Sequence, residues 1–301
     1  MNRLEIKKSL CVTVATISLL TLPYSMEVFA SEPAQYTGRD KAAYDLAYST
    51  GVQAVVYGWT PVMMDVALKL QTSVSQPMSN GQAPINEFGP ITRLWDYRDR
   101  SYTTPNNDTI YLQLWGDLEE QPYVLTVPPI RDRYWIAQII DMYTESVVDL
   151  GNATVGEVGG DFVLAKRGYE GELPEGLPVF YSDTRYIWIA GRLGASSSQD
   201  EKQALELQSM FRFTPLSKYP ETLAQPVPKL ATNAPTVQFP QGLAWFEKLN
   251  DVLEANPLPE DAALVDTFKY IGIGSEGVKS LDDVRKEALK KAFKRWLRYH
   301  S

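Results

Sequence analysis

Cysteine and histidine are almost missing from this chain of 301 residues: Cys11 is the only thiol and His300, next to last, the only imidazole. Zinc sites built from thiolate and imidazole, a thiol nucleophile, a structural disulfide and an internal Ser-His-Asp triad therefore lack their essential side chains. Positive charge is also short, with 29 Lys and Arg against 37 Asp and Glu. Nucleic acids and anionic membrane surfaces both recruit cations, so neither is an expected partner. Long apolar runs are missing as well, and no segment reaches the ~20 residues that span a bilayer. The Gly-rich stretch 151–160 has no phosphate-loop Lys-Ser/Thr and no strand-to-helix context, so it reads as a turn. No cofactor and no metal site is implied. Carboxylate, tyrosine, lysine or arginine chemistry remains open, as does binding without chemistry.

At the N-terminus, Met1 to Lys8 is short and basic, and Leu10 to Leu22 is a run of thirteen mostly apolar residues. Pro23 follows, then Val28-Phe29-Ala30 with small side chains before the expected cut. This is the layout of an export signal removed after Ala30, which predicts a periplasmic or extracellular protein. Cys11 would leave with the signal, and the mature 271 residues would carry 26 basic and 35 acidic side chains. That length makes one large or two small domains and can bury a core without disulfides.

Residues 31–38 are polar and expected to be loose. From Arg39 to Leu70, Ala43, Leu46, Ala47, Val52, Val55 and Val56 recur at helical spacing, and Pro61 predicts a break into two helices. Residues 73–90 read as a loop. Between about 91 and 194 the period changes to two: Ile110, Leu112 and Leu114 alternate with Tyr111, Gln113 and Trp115. Segments 123–127, 134–140, 162–165 and 186–193 behave alike. Short connections at 118–122 and 129–132 predict that the first three strands form an antiparallel meander. Ser198 with Glu201 marks a helix start at 199, a proline-rich connector spans 215–240, and helices follow at 241–255 and 281–299. Ser280 with Asp283 marks the start of the last one. Helices, strands, then helices is an α+β order: an antiparallel sheet or sandwich core flanked by N- and C-terminal helices. The expected division is an α+β domain over 39–275 and a basic amphipathic helix over 276–301. Its apolar stripe (Leu281, Val284, Ala288, Leu289, Ala292, Phe293, Trp296, Leu297) suits docking on its own domain, with a partner protein or a membrane surface as the alternative.

Candidate site residues cluster around the strands. In an up-down-up meander, Asp117 and Asp141 reach one sheet edge about 10 Å apart, two strand spacings, a candidate carboxylate pair for acid–base catalysis or a hard cation. Asp108 comes to the other edge with Arg133, an arrangement that suits a buried structural bridge. Residues Thr103 to Thr109, including Asn106, favour a turn. Thr109, Tyr111, Gln113 and Trp115 share one strand face, and Tyr186, Trp188 and Arg192 share another. Aromatics interleaved with amide and guanidinium groups suit a small polar or carbohydrate-like ligand, with Asn106, Asp108, Thr109, Tyr111, Trp115, Arg133, Trp188 and Arg192 as the candidate binding residues, although flanking helices could equally cover such a face.

These segments resemble the exported domain of unknown function 1254 family. The resemblance is carried by Tyr57-Gly58 with Pro61, Pro105-Asn106-Asn107-Asp108-Thr109-Ile110-Tyr111, Asp117-Leu118, Arg133-Tyr134-Trp135, Asp141 with Tyr143, Gly151-Asn152-Ala153-Thr154 and Gly191-Arg192-Leu193, across about residues 40–275. It implies an α+β domain, usually followed by a β-rich domain of unknown function 1214, which would begin about where this chain stops. It assigns no activity. The leading expectation is an exported ligand-binding or interaction module. The alternatives are a carboxylate hydrolase acting through Asp117 and Asp141, or one half of a two-domain protein acting through an assembly.

Overall fold

In the computed structural model of the protein, residues 36–99, 105–221, 226–231 and 237–300 are described. The export signal read at 1–30 lies outside the described residues, as do Thr103 and Thr104. Among the described residues, helix α1 (Gly38–Thr72) leads into nine strands. These are β1 (Gly89–Pro90), β2 (Thr109–Asp117), β3 (Tyr123–Val127), β4 (Trp135–Asp141), β5 (Ser146–Gly151), β6 (Gly160–Lys166), β7 (Val179–Ser182), β8 (Tyr186–Gly194) and, beyond α2 (Ser198–Gln208), β9 (Arg212–Pro215). The C-terminal part is helical: α3 (Leu243–Ala255), α4 (Ala262–Thr267) and α5 (Asp283–His300), with short 3-10 turns between.

The strands form two sheets, β1-β2-β8-β4-β5 and β7-β6-β3-β9, antiparallel except where β6 meets β7. The fold is α+β, as the element order predicts, but the meander is not there. β3 leaves the first sheet and β8 takes the place beside β2 and β4. Facing sheets lie ~10 Å apart, so a short connection can cross between layers as readily as it can turn a hairpin. Burial decides which happens. The inner faces share one core, with Ile110, Leu112, Leu114, Ile139, Ile187 and Ile189 from the first sheet and Leu125, Phe162, Leu164 and Phe213 from the second. Phe213 and Tyr123 stack with ring centroids 4.5 Å apart. β5, β7 and β9 carry too little alternation to read as strands alone.

A second core joins α1, α3 and α5. Pro61 lies inside α1, which is one helix of 35 residues and not two. The ring removes a backbone donor and costs about 3 kcal/mol or more in a helix interior. Tertiary packing on both sides of it offsets this. A Cβ on Gly51 would come within 2.8 Å of Leu289, and one on Gly58 within 2.3 Å of Leu249, so both glycines let other helices approach closely. Leu289 and Leu249 are themselves fully buried and cannot easily yield. Ala288, Leu289, Ala292 and Phe293 of α5 are buried in this core, and Trp296 lies 5.8 Å from Trp59, ring to ring. The apolar stripe of α5 thus docks on its own chain.

Both expected helix starts move. The side chain that caps α2 is Ser197, which accepts from Asp200 N–H, and Glu201 instead accepts from Leu94 N–H. At α5 the Asp282 carboxylate accepts from Arg285 N–H, in place of Ser280. Neighbouring Ser and Asp residues compete for a cap by side-chain reach, and sequence spacing does not resolve one position from the next. No helix among the described residues is long and apolar enough to cross a membrane.

Candidate functional site

The β2–β8 register pairs Tyr111 with Arg192, Gln113 with Ala190, Trp115 with Trp188 and Asp117 with Tyr186. The two polar-aromatic strand faces read from the sequence are therefore one continuous surface, the outer face of the five-stranded sheet. β4 and β5 extend it with Ile136, Gln138, Ile140 and Asp149.

Half of this face is closed. Trp115 and Trp188 stack at 5.6 Å, covered by Met64 and Leu68 of α1 and by Met142. Trp115 Nε1 donates to Gln71 Oε1 at 2.8 Å, and Gln113 Nε2 to Gly81 O at 3.0 Å. Helix α1 and the loop that follows it satisfy these polar groups, so Trp115 belongs to the interior. The other half is open. Arg192 is exposed, its guanidinium 5.4 Å above the Tyr111 ring. Trp95 meets the same ring edge-on at 6.4 Å, and Tyr111 Oη accepts from Asn106 N–H at 2.8 Å. Gln138 and Ile136 are half-buried and Tyr134 is exposed. At the edge of this patch the Thr109 hydroxyl is buried without a hydrogen-bond partner among the described residues.

The carboxylates part company. Asp117 and Asp141 do reach one sheet edge, on either side of β8, but Asp117 pairs with Tyr186 and Asp141 with Ile187. Successive residues of β8 point to opposite faces, so the two side chains start in different layers and do not form the expected pair. Each is also engaged. Asp117 takes a bidentate ion pair from Arg185 (2.9 and 2.6 Å) and an N–H from Glu119. Asp141, 5% exposed, accepts N–H bonds from Tyr143 (2.8 Å) and Glu145 (2.9 Å) on the same oxygen, closing the β4–β5 turn. Burial is the largest influence on its pKa and raises it, against the lowering by those two N–H groups. No group of three or more His, Cys, Asp or Glu that could hold a metal stands among the described residues.

A test of Asp141 follows from one oxygen taking both bonds. Asp141→Asn keeps that acceptor and removes a desolvated charge. Its stability at neutral pH should equal or exceed wild type, whereas Asp141→Ala should lose about 2 kcal/mol or more from two orphaned N–H groups. A raised carboxylate pKa adds stability below the unfolded value and loses it as pH rises through the folded value. The wild type should therefore fall relative to Asp141→Asn as pH rises across that window, in chemical denaturation at several pH values. Equal losses from both variants would defeat this assignment.

The expected Asp108/Arg133 bridge is also replaced. Asp108 is exposed, while Arg133 pairs with Asp200 of α2 and donates to Gly194 O. Helix α2, arriving from far along the chain, outcompetes the nearer aspartate. A further polar cluster lies away from the sheet face. Tyr57 donates to Asp261 at 3.0 Å and Tyr143 to Asn256 O at 3.0 Å, with the rings 6.0 Å apart. Burial drives both phenols upward, Tyr143 to about 12. Both stay protonated and tie α1 and the β4–β5 turn to the C-terminal helices. Their presence in the family resemblance was the one signal that marked them.

Residues 85–215 match the family described as Protein of unknown function (DUF1254). This is narrower than residues 40–275, and Tyr57, Gly58 and Pro61 fall outside it. The crystal structure of the VPA0106 protein from Vibrio parahaemolyticus is similar, with 25% identity and a TM-score of 0.63. The alignment covers 85% of this chain and 58% of that one, so this chain spans little more than half the length of that relative. A putative uncharacterized protein from Burkholderia cenocepacia is a more distant match, with 10% identity over 62% of this chain and 52% of that one, and a TM-score of 0.30. No curated protein matches.

Proposed function

We propose that this chain, with its DUF1254 region at residues 85–215, is an exported binding module that takes a flat polar, carbohydrate-like ligand on the open half of the five-stranded sheet. The observation that carries the reading is Arg192: an exposed guanidinium held over the Tyr111 ring, with no carboxylate paired to it among the described residues. An aromatic ring beside a fixed fork of donors suits a sugar ring and its hydroxyls. Asn106, Asp108, Thr109 and Tyr111 form the rim from the β2 side. Trp188 stays on the closed half of the face, stacked on Trp115, and takes no part in the open site. The hydrolase reading draws nothing from this surface, because Asp117 and Asp141 serve an ion pair and a turn.

The protein should be produced with its own N-terminus and purified as the exported form, whose mass tests cleavage after Ala30. It is then screened against an array of glycans, and any glycan retained is titrated. Arg192→Ala should weaken that glycan about tenfold, the value of a charged hydrogen bond or ring stack, without changing the melting temperature. An empty array, or equal binding by the variant, would sink the reading.

A further inference from the structure

We infer that a cavity in the helical C-terminal part is a second site, independent of the sheet face, for a small organic cation with a short alkyl body. The cavity is a groove of about 370 Å³, half open to solvent, between α3, α4 and residues 273–275, with Glu254, Gly274 and Ser275 exposed at its rim. That volume falls within the range of small-molecule sites. Its walls are Leu253, Val265 and Ile273, with Asn250 and Ser275 adding polar groups and Glu254 the single ionisable one.

The walls are fixed before any ligand arrives. Leu253 and Ile273 are anchored in the α1–α3–α5 core. The loop is tied at three points: Gly274 N–H donates to Asn250 Oδ1 at 2.7 Å, Ile273 N–H to Phe268 O at 3.2 Å and Gly277 N–H to Gly272 O at 3.1 Å. A preformed cavity avoids the ordering cost that weakens binding to mobile loops.

Local charge selects the ligand. Residues 247–300 hold ten acidic and ten basic side chains, so no net field selects the ligand and the wall itself decides. The lysines of α3 and of residues 256–280 are already engaged, Lys248 with Asp65 and Asp251, Lys269 with Asp266 and Lys279 with Glu247. Glu254 has no ion pair among the described residues. The single unpaired charge on the cavity wall is therefore the Glu254 carboxylate, which favours a cation over an anion at that point. An ammonium head would meet the Glu254 carboxylate while its alkyl chain lies along Leu253, Val265 and Ile273.

The test uses three four-carbon probes, n-butylammonium, n-butanol and n-butyrate, titrated into the whole mature chain with backbone amide NMR as the readout. Butylammonium should shift the Gly274 and Ser275 amides saturably, butanol should do so more weakly, and butyrate should leave them unmoved. Glu254→Gln should weaken butylammonium about fivefold, the most an exposed ion pair contributes, and leave butanol and the melting temperature unchanged. Val265→Trp should fill the cavity and abolish the response to both. Butyrate binding as well as butylammonium, or full butylammonium affinity in Glu254→Gln, would overturn the inference. Neither result bears on the sheet-face reading, whose variant is elsewhere.

Discussion

Trp135→Ala is expected to lower stability by about 3–5 kcal/mol, the cost of truncating a fully buried Trp. Trp135 is 1% exposed and points into the sandwich, on the register position opposite Leu193. The small residue would leave a cavity bounded by both sheets, and interiors packed at crystal-like density relax only partly around such a gap. A second loss adds to it. Trp135 Nε1 donates to Gly156 O at 3.1 Å, which fastens the turn between β5 and β6 to the core. Trp135→Phe restores most of the volume without the donor and should fall between the two. Urea denaturation separates these outcomes through the midpoint, with the slope m as a check that the same surface unfolds. A loss below about 1 kcal/mol for the Ala variant would mean that the sheets close over the gap, against the packing described.

Arg133→Ala should cost about 3 kcal/mol, the low end of what breaking a buried pair costs, because Asp200 retains other donors. The Arg133 side chain is 8% exposed and Asp200 26% exposed. One guanidinium joins the start of β4, the Gly194 carbonyl at the end of β8 and the first turn of α2. Arg133→Lys should not recover the loss, since a point charge cannot serve two partners set at a fork angle. The pH dependence has a definite sign. Ser196 N–H first, then Arg133, hold the Asp200 carboxyl below its ordinary range. A lowered pKa adds stability above the unfolded value and loses it as pH falls through the folded one. Removing Arg133 should therefore flatten that acid-side decline, seen as a smaller gap between urea midpoints at neutral and acid pH. A variant with the wild-type midpoint at both pH values would defeat this structural role of Arg133.

What the amino-acid order settles here is local. Period-two alternation sorts Ile110, Leu112 and Leu114 from Tyr111, Gln113 and Trp115 because side-chain direction in a strand is a backbone property, owed to no neighbour. The apolar stripe of α5 is legible for the same reason. The two-sheet pairing, the continuity of α1 through Pro61, and the partner of Arg133 are decided by segments remote in sequence. β8 displaces β3 beside β2 because that arrangement lets both sheets bury one face against the other. α1 stays unbroken because α3 and α5 pack on it before the proline, and Trp115 and Ile140 of the sheet, with Met142, pack on Met64 and Leu68 after it. The candidate site follows the same division. Its residue types, Tyr111 and Arg192 among them, are visible in the sequence. Their meeting on one face, the covering of Trp115 by α1, and the separation of Asp117 from Asp141 are consequences of strand register. A shift of one residue exchanges the two faces of a strand, and only the packed tertiary structure sets it.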